Sequence, residues 1–97
     1  MSITITSKSG NYTVEILEHL ATLKKYNTGW AEELNIVKWN DGDTVYDIRS
    51  WSPNHQSMSK GVTLNYDEAV ELVDALSADI YNRDDKLVAP SATTEKD

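Results

Sequence analysis

The sequence predicts an α+β fold in which four antiparallel strands are followed by one C-terminal helix (ββββα). Three observations carry this. Asp41-Gly42 separates two strand-like runs and favours a tight hairpin. Asn65 with Glu68 makes an Asn variant of the capping box. Beyond it, Ala69, Leu72, Val73, Leu76 and Ile80 recur at helical spacing, with Asp67, Glu71 and Asp74 on the other side. A chain of 97 residues has room for one modest core.

In chain order, residues 1–11 are rich in Ser, Thr and Gly and read as a flexible N-terminal arm, although Ile3 and Ile5 alternate with polar residues. From Tyr12 to Leu23 the apolar positions fit neither the strand nor the helix period, and β-branched residues at the start favour a long strand bent near Glu18. Lys24 to Gly29 reads as a turn. The second and third strands are expected from about Trp30 to Trp39 and Thr44 to Trp51. A two-residue turn at Asp41-Gly42 would pair Val37 with Tyr46 and Asn35 with Ile48 on a core face that also holds Trp39. Lys38, Arg49, Trp30 and Trp51 would then share the opposite face with Leu34 and Ile36. Ser52 to Ser59 reads as a polar loop and Gly61 to Leu64 as a short fourth strand. The ordered domain is expected over residues 12–81, with a disordered acidic tail over 82–97.

Composition narrows the function classes. With no cysteine there is no disulfide framework, thiolate metal site or cysteine nucleophile. His19 and His55 match no metal-ligand spacing, and no nucleophile elbow or Gly-rich phosphate loop occurs, so neither catalysis nor a cofactor is expected. Mean hydropathy is −0.53, and no apolar run reaches the roughly 20 residues of a spanning helix. No membrane partner is expected. No secretory signal is visible, and the expected address is cytoplasmic, with nucleoid association as an option.

A net charge of −7 argues at first against a nucleic-acid partner. Its distribution argues otherwise. Residues 1–64 hold six Lys/Arg against seven acids, a net of −1, whereas residues 65–97 hold three against nine, a net of −6. Sequence-tolerant binding of single strands needs cations to follow phosphates and flat rings on which bases stack. Lys38, Arg49, Trp30 and Trp51 meet that description, and Lys24, Lys25 and Lys60 extend it.

Asp47-Ile48-Arg49, the aromatic Trp51, a polar loop, Lys60-Gly61-Val62-Thr63-Leu64 and the capped helix together resemble the transcriptional positive cofactor four family of single-stranded DNA-binding proteins. VKWND at Val37 to Asp41 and YDIRSWSP at Tyr46 to Pro53 look closer still to its small bacterial YdbC-like members. The resemblance covers roughly Tyr12 to Ile80. It implies a curved four-stranded sheet, a homodimer assembled through helix and strand contacts, and binding of single-stranded or melted DNA with little sequence preference. RNA and the transcription machinery are further partners in that picture. Carried over, Arg49 matches the third-strand arginine, Lys38 a basic second-strand position, Trp51 an aromatic beyond the arginine, and Lys60 the lysine before the fourth strand. Asp41 and Asp43 stand where eukaryotic members carry lysines, and Asn40 where a ridge aromatic falls. The alternative is a protein-interaction or dimerisation module whose sheet binds a polypeptide.

Overall fold

The computed structural model describes residues 2–7, 10–40 and 42–83. Five strands, β1 (Ser2–Ser7), β2 (Gly10–Lys25), β3 (Ala31–Trp39), β4 (Thr44–Trp51) and β5 (Met58–Leu64), precede helix α1 (Tyr66–Arg83). They form one antiparallel sheet in the order β1-β2-β3-β4-β5. Strands β2 to β5 with α1 make the expected ββββα unit. The segment read as a flexible arm contains β1, which pairs with β2 from Ser2 opposite Glu15 to Ser7 opposite Gly10. The alternation at Ile3 and Ile5 was a strand pattern, and the long β2 offers it a ladder. Of the expected acidic tail, residues 82 and 83 close the helix and residues 84–97 lie outside the described residues.

The ambiguous period of β2 has a structural cause. Its ladder with β3 is regular except for three shifts, between Ile16 and Glu18, His19 and Ala21, and Thr22 and Lys24. The residue left over at each shift is a leucine: Leu17, Leu20 and Leu23. A bulge inserts one unpaired residue and bends the strand, so this strand repeats every three residues. All three leucines are exposed.

The hairpin forms one residue away from the expected register. Gly42 N donates to the Trp39 carbonyl at 2.7 Å, and Asn40 adopts a left-handed backbone, φ 49°. Asn tolerates that region better than most residues. Asn40 also ties the tip to β2: its N donates to Thr13 O at 2.6 Å, and its Oδ1 accepts from Thr13 N at 2.8 Å. Pairing therefore runs Lys38–Thr44, Val37–Val45, Ile36–Tyr46, Asn35–Asp47, Leu34–Ile48, Glu33–Arg49 and Ala31–Trp51. A one-residue slip reassigns faces between strands. Tyr46 and Ile48, expected beside Val37, lie on the opposite face.

One face, the core face, carries Val14, Val37 and Trp51, with Ile16, Trp39, Val45 and Met58 packed around them. The other, the helix face, presents Leu34, Tyr46, Ile48 and Leu64 to Ala69, Val70, Leu72 and Val73 of α1 across an apolar cleft. The capping box forms as expected: Asn65 N donates to Glu68 Oε1 and Glu68 N to Asn65 Oδ1, each at 2.8 Å. The stripe of α1 is only lightly covered, because Leu72, Val73, Leu76 and Ile80 remain exposed.

Candidate nucleic-acid interface

Arg49 stands on the core face opposite Glu33 of β3 and Gly61 of β5. Its Nε donates to both oxygens of Asp47, at 2.9 and 2.7 Å. Its guanidinium lies 4.9 Å from the centre of the Trp39 ring, and Nη1 reaches Ser59 O at 3.3 Å. Asp47 is wholly buried and the Arg49 side chain is 11% exposed, so this is an interior ion pair rather than a surface one. Gly61 makes room for it. A Cβ there would collide with the Ile48 carbonyl oxygen and the Arg49 side chain.

Trp51 is also interior, at 1% exposure. The His55 ring stacks on it at 5.6 Å between centroids and 26° between planes. His55 Nε2 lies 3.0 Å from Glu33 Oε2, and Asn35 Nδ2 donates to Glu33 Oε1 at 3.1 Å. On the far side, His19 Nδ1 donates to Asn35 Oδ1 at 2.7 Å and sits 3.7 Å from Glu33 Oε1. Two histidines 36 positions apart thus flank one nearly buried carboxylate. The loop that delivers His55 is tied by Ser52 N to Ser57 O at 2.9 Å and by Ser57 N to Ser52 Oγ at 3.0 Å.

The β2–β3 turn abuts this loop. Tyr26 N donates to Trp30 O at 2.8 Å, and Gly29, at φ 94°, lies so close to Pro53 that a Cβ would stand 2.8 Å from its Cγ. That contact brings Lys24, Lys25 and the half-buried Trp30 to the end of the sheet that holds Trp51 and His55. Lys24 Nζ sits 5.0 Å over the Tyr26 ring. Lys60 is exposed in the irregular step of β5 between Gly61 and Met58.

Six of the seven residues expected to contact nucleic acid, Lys24, Lys25, Trp30, Arg49, Trp51 and Lys60, therefore gather at one end of the sheet. Lys38 does not. It pairs with Glu15 and Thr44 at the other end, on the helix face, so the expected face shared by Lys38, Arg49 and Trp51 is corrected by the hairpin register. Reading the sequence missed Glu33, Asn35, His19 and His55 as a cluster. The one available signal was that Glu33, Asn35 and Val37 alternate along one strand. Among the described residues no group of three or more His, Asp or Glu could hold a metal, and no helix is long and apolar enough to cross a membrane.

An antiparallel sheet closed by one C-terminal helix, with cations and rings collected at one sheet end, defines a class of small sheet-plus-helix binding modules. Residues 26–75 match the family described as Transcriptional Coactivator p15 (PC4). An uncharacterized protein of Treponema pallidum (strain Nichols) is 40% identical over 68 residues, spanning 70% of this chain and 80% of that one. The chain belongs to the Transcriptional Coactivator p15 (PC4) family. Single-stranded DNA binding and transcription coactivation are the general attributes of this family, which is nucleic-acid-binding rather than enzymatic.

Proposed function

We propose that the protein is a homodimer that binds single-stranded DNA with little sequence preference, in transcription regulation or in handling exposed strands. The observation that carries this is the convergence of Lys24, Lys25, Trp30, Arg49 and Lys60 at the sheet end where the β2–β3 turn meets the Ser52–Ser57 loop. Cations there follow phosphates while rings take the bases. Arg49 is held by Asp47 in a largely buried pair, so what it offers a ligand is a fixed and partly covered guanidinium, and the exposed lysines supply the free charge. Dimerisation is supported by the incompletely covered apolar stripe of α1, since monomeric proteins rarely expose contiguous patches of that kind. RNA and melted duplex are competing ligands.

The alternative, a sheet that binds a polypeptide, is favoured by one feature. Among the described residues β1 pairs with β2 only as far as Glu15, and the remainder of β2 carries the exposed Leu17, Leu20 and Leu23. Fluorescence anisotropy with labelled oligo(dT), its RNA counterpart and the matching duplex separates the readings. Binding of oligo(dT) in preference to duplex is expected, with a salt slope of about −0.7 per phosphate contact. No binding at low salt would eliminate the nucleic-acid reading.

A further inference from the structure

We infer that His55 is the base-stacking platform at this site, with Trp51 as the foundation beneath it. The inference rests on the reading that single strands bind at this end of the sheet. A base needs an open ring face. Trp51 offers none: it is 1% exposed, and His55 lies over it. Among the described residues its indole Nε1 is buried and meets no acceptor.

The imidazole is held on three sides. Its inner face lies on Trp51 from β4, its Nε2 edge meets Glu33 from β3, and its backbone is turned left-handed at φ 59°. A non-glycine residue in that region carries strain that neighbouring contacts must offset. Glu33 is fixed in turn at Oε1, the oxygen turned from His55, where Asn35 donates and His19 of β2 approaches. The His55 side chain keeps 28% of its surface open on a ring that Trp51 and Glu33 hold in place. Preorganisation of this kind spares a ligand the ordering cost of a free side chain. Every base has a π-face, so such a platform accepts any of them.

The test uses the full chain and short oligo(dT) and oligo(dA) at fixed low salt. His55→Asn removes the ring while keeping a residue that tolerates positive φ. His55→Phe keeps a flat ring and loses the bond to Glu33. Thermal melts establish that both variants fold. For His55→Asn the expected result is a loss of affinity of about 5- to 150-fold, the range of one base stack, with the salt slope unchanged. His55→Phe should retain most of the affinity. Wild-type affinity in His55→Asn overturns the inference, as do equal losses in both variants, which would assign the effect to the Glu33 bond. In the wild type, oligo(dA) should shift the His55 ring protons more than those of His19, and no such shift at saturation also overturns it. If the wild type binds no oligonucleotide, the reading itself fails and the inference falls with it.

Discussion

The two faces of the sheet invert the usual relation between polarity and burial. The core face carries Glu33, Asn35, Asp47 and Arg49, yet Asn35 and Asp47 are wholly buried and Glu33 nearly so. The helix face carries Leu34, Tyr46, Ile48 and the stripe of α1, yet much of that apolar surface stays open. Buried polar groups are tolerated when partnered, and on the core face Asp47 has Arg49 while Glu33 has Asn35 and His55. The polar groups of one face are paired within the chain, while the other keeps much of its apolar surface open.

The largest expected effect comes from breaking the interior ion pair. Asp47→Ala leaves the Arg49 guanidinium without its carboxylate and should cost about 3–5 kcal/mol in denaturant titrations; a cost under about 1 kcal/mol would mean that the pair is solvated. Next is Gly61→Ala, whose Cβ must displace Arg49 or the β4 backbone and should cost about 1–3 kcal/mol. Asn65→Ala removes the reciprocal cap of α1, with an expected loss of about 1 kcal/mol. Leu76→Asp probes the open face, where side chains are exposed and the fold should change by no more than about 0.5 kcal/mol. Sedimentation should nevertheless report loss of the proposed dimer, and a folded dimeric variant would contradict the contrast between the faces. The smallest effect is at the end of α1. Hydrogen bonds from Arg83 hold the Asp79 carboxyl below its ordinary range. A lowered folded-state pKa means that this contribution is present above the ordinary carboxylate pKa and is lost as pH falls through the lowered one. Carbon-detected titration should show the Asp79 pKa rising toward its ordinary value in Arg83→Ala.

Local chemistry was the legible part of this chain. The Asn65–Glu68 cap and the helical stripe follow from spacing alone, and both form. The β3–β4 hairpin was legible as a hairpin but not in register, because Asp41-Gly42 advertised a two-residue turn while Asn40 took the left-handed position. That single residue moved Tyr46 and Ile48 to the helix face and separated Lys38 from Arg49. Asp47 and Arg49 could be paired from their spacing, but their burial depends on strands distant in sequence. The same holds for His19, Glu33 and His55, which meet only once three elements are in place. β2 was legible as a long bent strand, but its three bulges were not, because a period of three belongs to neither regular element.

That period has a consequence for how the fold can vary. Residues 14–25 of β2 run beside residues 31–39 of β3, three more residues on one side of the ladder than on the other. Unequal path lengths along adjacent strands bend a sheet as unequal edges bend a ribbon. In a regular strand, deleting one residue turns every later side chain to the wrong face. Deleting Leu17, Leu20 or Leu23 would instead remove an unpaired residue and leave both flanking registers intact. Curvature in this chain can therefore change one leucine at a time while the ladder on either side keeps its partners.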